Sequence, residues 1–183
     1  DIPVNVKYSF KNGSHLQAGA VLRNMYYKDE IEDKDRIVTG WGASLSGIWQ
    51  FAQNTSLCFQ GVYGKGISNY IQDISGTGLD LVPNATAEGK LKAFGAWGGY
   101  IGFSHNWSKV LTSNIMYSYA RVLDRYGMPT TSYKYAQYAA ANLFWDFSEY
   151  GSCAIEYVFG RRNDFNKDYG NASRINTMIQ YRF

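Results

Sequence analysis

The feature that most limits how this chain can fold is the alternation of apolar and polar residues in stretches of about ten, separated by turn residues. The last stretch, 174–183, is the clearest. Successive side chains of a strand point to opposite faces, so this stretch predicts a strand with one apolar side and one water-facing side. The apolar side carries Ile175, Thr177, Ile179, Tyr181 and Phe183, and the other side carries Arg174, Asn176, Met178, Gln180 and Arg182.

About nine such stretches can be placed along the chain, and most have close to the roughly 9 to 11 residues that a tilted strand needs to cross a bilayer. Composition agrees with a strand-rich protein, because aromatic residues make up 17% of the chain and Gly 19 outnumbers Pro 3. The predicted strands are 4–10, 16–23, 38–49, 57–66, 93–105, 110–122, 135–145, 150–161 and 174–183.

The predicted connections alternate between short and long. Outer-membrane barrels place short turns on the periplasmic side and longer loops outside, so this order favours a transmembrane barrel over a soluble sandwich. The sequence therefore predicts an all-β fold: an antiparallel transmembrane β-barrel segment with meander topology. The short connections are 11–14, 50–56, 106–109 and 146–149, and the long ones are 28–36, 67–92, 123–134 and 162–172.

Charge, cysteine spacing and the length of apolar runs argue against several other classes of protein. The net charge of +3 comes from scattered basic residues and does not indicate nucleic-acid binding. Cys58 and Cys153 lie far apart without zinc-ligand spacing, so we expect two free, buried thiols. No apolar run approaches the roughly 18 to 20 residues of a membrane helix.

Three stretches, 64–71, 96–107 and 156–162, resemble segments of DcaP-like porins, and the final Phe183 with Tyr181 and Ile179 is similar to the terminal signal of outer-membrane barrels. The resemblance implies a homotrimer in the bacterial outer membrane that admits small organic anions such as dicarboxylates. It also implies that the barrel-assembly machinery recognises the C-terminal strand.

The strand count predicts how this chain relates to a whole barrel. If the last strand ends in the periplasm, counting back places the start of the first strand outside, whereas single-chain bacterial barrels have even strand counts. Residues 1–183 are therefore expected to be the C-terminal portion of one outer-membrane β-barrel domain. The first and last strands are expected to have free edges or to pair with another chain.

Basic residues on the water-facing side are the candidate substrate-binding groups, with Glu156 as their main acidic neighbour. Pairing of the last two strands is expected to bring Arg162 near Arg174, which would favour an anion between them. The alternative is that these arginines snorkel or form salt bridges at the rim. The candidates are Lys7, Arg23, Arg162, Arg174 and Arg182.

Catalysis is not indicated, because His15 and His105 are the only histidines and no nucleophile motif accompanies them. The acidic stretch 29–35 and the oxygen-bearing stretch 164–168 are weak calcium signals, and no cofactor is expected. The predicted function is passive diffusion of small hydrophilic solutes through an outer-membrane pore. The alternatives are a soluble antiparallel barrel or sandwich that binds a ligand, and an outer-membrane enzyme such as a lipase or protease.

Overall fold

The computed structural model describes residues 1–123, 125 and 127–183, and it is built almost entirely from antiparallel strands. Two 3₁₀ turns, Ser68–Tyr70 and Gln72–Ile74, are its helical elements in the described part of the chain. The strands are β1 (Ile2–Ser9), β2 (His15–Asp29), β3 (Lys34–Ala52), β4 (Thr55–Lys65), β5 (Leu81–Pro83), β6 (Leu91–Ala93), β7 (Gly95–Asn106), β8 (Leu111–Val122), β9 (Tyr133–Asp146), β10 (Gly151–Asp164) and β11 (Tyr169–Tyr181).

Nine of these strands form one sheet in which each strand pairs with its neighbour in the order β1-β2-β3-β4-β7-β8-β9-β10-β11. This confirms the predicted antiparallel meander. β5 and β6 pair separately as a small hairpin. Within the described residues, β1 pairs with β2 alone and β11 with β10 alone, so the sheet is open and each end strand has one free edge.

The prediction of a long connection is wrong at two places, where the structure has short turns. The β2–β3 ladder continues through Lys28 opposite Asp35 and Asp29 opposite Lys34, which leaves a turn at 30–33 in place of the expected loop 28–36. The β10–β11 ladder likewise extends to Asn163 opposite Tyr169, leaving 165–168 in place of 162–172. Backbone hydrogen bonds hold a ladder whatever its side chains, so polar side chains do not by themselves end a strand.

The connections therefore define two ends of the sheet. Short turns at 10–14, 53–54, 107–110 and 147–150 share one end, called here the turn end. The opposite end, called the loop end, carries 30–33, 66–94, 123–132 and 165–168. In outer-membrane barrels the turn end faces the periplasm.

The strand registers divide the side chains between two faces. Ile101 on β7 lies opposite Phe59 on β4 and Tyr117 on β8, and these belong to the apolar face. One residue earlier, Tyr100 lies opposite Gln60 and Ser118 on the polar face. Ile175, Ile179 and Tyr181 follow the apolar face, and they are 67%, 85% and 68% exposed.

The long loop, residues 66–94, folds over the polar face. Its side chains form the buried core of the described structure together with wall residues of β7 and β8. The chain turns into this loop at Gly66, whose φ of +71° is a conformation that favours glycine. The fully or nearly fully buried members are Ile67, Ile71, Ile74, Val82, Phe94, Ala96, Ala120 and Val122.

Among the residues described, no helix has both the length and the apolar character to cross a membrane.

Candidate functional site: the polar face and its basic residues

A row of amides around one carboxylate crosses four strands of the polar face. Asn176 Nδ2 donates to Glu156 Oε1 at 2.9 Å, and Asn142 Nδ2 donates to Glu156 Oε2 at 3.3 Å. Asn114 extends the row by donating to Asn142 Oδ1 at 2.8 Å. The strand registers place these residues directly opposite one another, so the row follows from the predicted alternation. Glu156 is thus held by amides, and no cation neutralises it among the described contacts.

Arg23, on β2, is the most constrained of the predicted basic residues. Its Nε contacts Asp1 Oδ1 at 3.2 Å, its Nη1 contacts Asp80 Oδ2 at 3.0 Å, and the Gly66 carbonyl accepts a further bond from Nη1. The guanidinium carbon lies 5.1 Å from the centre of the Tyr70 ring. The side chain is 12% exposed. Arg23 therefore attaches the long loop to the wall, with two carboxylates already beside its charge.

Arg162 and Arg174 lie on the polar face but not beside each other. Arg162 on β10 lies opposite Gly170, whereas Arg174 lies opposite Val158, four positions closer to the turn end. At about 3.3 Å per residue this separates the two by roughly 13 Å along the strands. The expected cation pair is therefore wrong, because it rested on a loop at 162–172 where the ladder in fact continues.

The remaining basic residues differ in how their charges are paired. Arg162 Nε contacts Asp164 Oδ1 at 2.9 Å, and Arg182 Nη2 lies 3.9 Å from Asp146 Oδ1. Lys7 lies opposite Gln17 on β1, and Arg174 lies on β11. In the described part of the chain, neither Lys7 nor Arg174 has a carboxylate within 4.0 Å.

A cavity of about 410 Å³ lies between the long loop and the polar face of β4, β7 and β8. Its polar lining comes from amide, hydroxyl and carboxylate groups, and its described lining contains no lysine or arginine. The wall residues of this cavity follow the alternation of their strands, whereas the loop residues have no periodic pattern. The polar residues in the lining are Gln60, Tyr70, Gln72, Asp73, Tyr100, Ser118 and Tyr119.

Aromatic pairs line the turn end of the sheet. Phe10 packs against Trp49 with ring centres 5.5 Å apart, and Trp145 packs against Phe147 at 5.9 Å. Such rings are typical of the membrane interface of barrels. Tyr27 lies on the polar face at the other end of the sheet, where its hydroxyl accepts a hydrogen bond from the Leu91 amide of the long loop at 3.1 Å.

Neither histidine forms a catalytic arrangement with the contacts described. The His105 Nδ1 lies 2.8 Å from Thr55 Oγ1, and its ring packs on Trp107 with centres 4.5 Å apart. His15 lies opposite Ile48 at the start of β2. Cys58 and Cys153 are free and half-buried, which corrects the expectation of buried thiols.

The acidic stretch 29–35 is organised by hydrogen bonds and ion pairs. Asp29 Oδ1 accepts hydrogen bonds from the Ile31 and Glu32 amides, each at 3.2 Å, and Oδ2 lies 3.3 Å from Arg36 Nε. The Glu32 amide, then the Ile31 amide and Arg36, lower the pKa of Asp29 below its usual 3.8 against an opposing effect of burial. Among the residues that the structure describes, no cluster of His, Cys, Asp and Glu could hold a metal.

Taken together, an open antiparallel meander with one aromatic and aliphatic face, one polar face and a loop folded over the polar face is the wall of a transmembrane β-barrel segment. The structural comparison gives this fold a close parallel. The chain is similar to the outer membrane channel DcaP of Acinetobacter baumannii, with a TM-score of 0.79 and 19% identity over 99% of this chain and 51% of that chain.

The chain thus spans about half the length of the DcaP channel, and the similarity supports the resemblance at the level of the fold. The NanC porin structure matches with a TM-score of 0.48 and 12% identity, over 99% of this chain and 92% of that chain. No family model matches the sequence, and no curated protein matches it either.

Proposed function

We propose that residues 1–183 form the C-terminal portion of a barrel wall in the bacterial outer membrane, and that the intact barrel passes small hydrophilic solutes by diffusion. The observation that carries this proposal is the division of the sheet into two faces. The apolar face is uncovered, while the polar face carries the long loop and a cavity. A pore needs this arrangement, with lipid outside and water inside.

The uncovered apolar face argues against the soluble alternative. A soluble sandwich covers the apolar face of each sheet with a second layer, and large exposed apolar patches are rare on soluble monomers. Here the apolar face has exposed side chains across the sheet and no covering layer among the described elements. Examples from six strands are Val6 at 74%, Leu45 at 52%, Ile101 at 50%, Ile115 at 62%, Ile155 at 53% and Ile175 at 67% exposed.

We further propose that the pore prefers small organic anions such as dicarboxylates. Lys7 and Arg174 have no carboxylate within 4.0 Å among the described residues, so they are the strongest candidates for contacts with a solute. Arg162 and Arg182 each have one carboxylate beside them, and Arg23 has two. A hydrated unit-charge contact at 4 Å is worth about 1 kcal/mol, so each residue changes selectivity by a few-fold at most.

Reversal potentials of the intact pore in a planar bilayer with a salt gradient test this preference. The wild type should be anion-selective, and Lys7→Gln combined with Arg174→Gln should reduce the anion-to-cation permeability ratio. Arg162→Gln and Arg182→Gln should have smaller effects. The matched control is Arg161→Gln, on the apolar face. A cation-selective wild type contradicts the proposed preference, and the absence of any conductance contradicts the pore itself.

The proposed location and assembly have a separate test at the C-terminus. Tyr181 and Phe183 are 68% and 112% exposed and carry the terminal aromatic pattern. If the barrel-assembly machinery recognises this strand, Phe183→Asp should lower the amount of folded protein in the outer membrane, whereas Phe51→Asp should not. The homotrimer implied by the resemblance is tested by the mass of the detergent-extracted protein.

A further inference from the structure

Arg121 is a cation on the apolar face, near the loop end of β8. It lies opposite Trp97 on β7 and opposite Tyr135 on β9. Its Nε is buried and has no hydrogen-bond partner in the described structure, and no described carboxylate lies within 4.0 Å of its guanidinium. The residue as a whole is only half-buried, and a cation at this position without a carboxylate beside it favours an external acceptor.

The surroundings of Arg121 are aromatic. Tyr119, two residues earlier on the same face, packs against Trp97 with ring centres 4.9 Å apart and stacks on Tyr135 at 5.5 Å. The Tyr119 side chain also interacts with the Arg121 guanidinium. Tryptophan and tyrosine concentrate at the headgroup level of membranes, because their rings are apolar and their edges are polar. Arg121 is therefore at the depth of lipid headgroups.

A groove of about 830 Å³ opens on the apolar face beside this residue. Its floor is formed by Gly61 on β4 and Gly99 on β7, which lie directly opposite each other. A Cβ on Gly61 would meet no atom within 4 Å, so the floor is open to the membrane. The walls are formed by Ala43, Leu45, Tyr63, Trp97 and Leu123.

The cation lies closer to the loop end than the groove does, which matches a lipid whose headgroup lies above its acyl chains. Gly99 lies opposite Tyr119, one row closer to the turn end than the row of Arg121 and Trp97. A headgroup at Arg121 would thus have the groove immediately below it, towards the middle of the bilayer. The apolar groove fits an acyl chain, and the guanidinium fits a phosphate through charge-assisted hydrogen bonds.

We propose that Arg121 and the Gly61–Gly99 groove together bind one phosphate-bearing membrane lipid, with its phosphate on Arg121 and an acyl chain in the groove. The inference rests on the proposed function, because it requires the apolar face to lie in a membrane. Charge complementarity favours a lipid over a second copy of this face. Lys65, Arg121 and Arg161 all lie on the loop-end half of this face, so a copy packed against it would bring like charges together.

Native mass spectrometry of the intact protein in detergent tests the site, with a two-phosphate lipid A, its one-phosphate form and diacylglycerol as probes. Phosphate-bearing lipids should be retained over diacylglycerol. Arg121→Gln should reduce that retention by about tenfold or more, the loss expected for a charge-assisted contact. Gly61→Val should reduce retention of all three lipids, because its side chain enters the groove without a backbone clash.

Two matched variants distinguish this site from general effects of charge or shape. Arg161 lies on the same face, but its Nε donates to Asn163 at 3.1 Å and its guanidinium stacks 4.2 Å from the centre of the Tyr169 ring, so Arg161→Gln should change retention little. Gly160→Val adds the same side chain on the polar face, where a Cβ also meets nothing within 4 Å, and should leave retention unchanged.

Three outcomes overturn the inference: equal retention of diacylglycerol and phosphate lipids, equal losses in Arg121→Gln and Arg161→Gln, and displacement of lipid by inorganic phosphate alone. A mass shift of Gly61→Val from oligomer to monomer, without a change in lipid retention, assigns the groove to a second copy instead. Bilayer conductance of the same samples distinguishes failure of the lipid site from failure of the proposed pore. A protein that conducts but does not retain phosphate-bearing lipids over diacylglycerol contradicts the lipid site alone.

Discussion

Arg23 Nη1 lies 3.0 Å from Asp80 Oδ2, and this contact joins strand β2 to the loop that covers the polar face. Both side chains are mostly buried, at 12% and 15% exposed. Asp80 also accepts hydrogen bonds from Ser68 Oγ and Asn69 Nδ2, each at 2.8 Å. One carboxylate therefore holds the wall and the start of the loop together.

Asp80→Asn should loosen the long loop without unfolding the sheet. Losing a charged hydrogen-bond acceptor at this depth costs about 1 to 3 kcal/mol, so amides between 67 and 94 should exchange hydrogen about 5- to 150-fold faster. Single-channel conductance of the intact pore should rise as the loop leaves the polar face. Asp73→Asn is the control, because Asp73 lies in the same loop and has no ion pair among the described residues. Unchanged exchange in Asp80→Asn would show that the apolar core alone holds the loop.

An arginine introduced on the apolar face should destabilise the protein more than one introduced on the polar face. Ile115 and Asn114 are consecutive on β8, with Ile115 on the apolar face and 62% exposed. Ile115→Arg should destabilise the protein in lipid vesicles by about 2 to 4 kcal/mol, the cost of arginine near the bilayer midplane. Asn114→Arg should cost about 1 kcal/mol, from the lost hydrogen bond to Asn142. Denaturant unfolding measures both, and equal effects would contradict the assignment of faces.

The closed turn at 30–33 should depend on pH through Asp29. Its pKa is lowered in the folded protein, first by the Glu32 amide and then by the Ile31 amide and Arg36. A lowered pKa means that the stabilisation is fully present above the unfolded value of 3.8 and is lost as pH falls through the folded value. The Ile31 and Glu32 amide resonances should therefore shift below pH 4, and Asp29→Asn should abolish the transition. Asp35→Asn is the control, and a transition that persists in Asp29→Asn would assign it to another group.

Much of the wall could be predicted from sequence because strand periodicity decides the face of every residue at once. The alternation of Ile175, Asn176 and Ile179 gives the correct faces of β11, and the same argument places Lys7 and Arg174 on the polar face. Alternation does not determine which residues of neighbouring strands lie opposite each other. That register depends on where the turn between the two strands begins and ends. A turn misplaced by a few residues was enough to put Arg162 beside Arg174.

The contacts of the long loop could not be predicted for a different reason. Arg23 and Asp80 are 57 positions apart in sequence, and nothing periodic connects them. Their contact depends on the path of residues 66–94, which is determined by the burial of Ile67, Ile74 and Phe94 against the wall. The sequence shows that these residues are apolar, but it does not show which face of the sheet they cover.

Gly61 and Gly64 of β4 look equivalent in the sequence but differ in the space around them. A Cβ on Gly64 would lie 2.2 Å from the Trp41 carbonyl oxygen and 2.7 Å from the Gly42 Cα, both backbone atoms of β3. Gly64→Ala should therefore force strands β3 and β4 apart and destabilise the protein by about 1 to 3 kcal/mol. A Cβ on Gly61 meets nothing within 4 Å, so Gly61→Ala should be neutral or stabilise by up to about 1 kcal/mol, because alanine restricts the unfolded chain. Denaturant unfolding of the two variants in the same detergent compares them directly. Equal losses of stability in the two variants would show that the close approach of β3 and β4 does not require glycine at position 64. The backbone at Trp41 could then shift enough to admit a Cβ on residue 64.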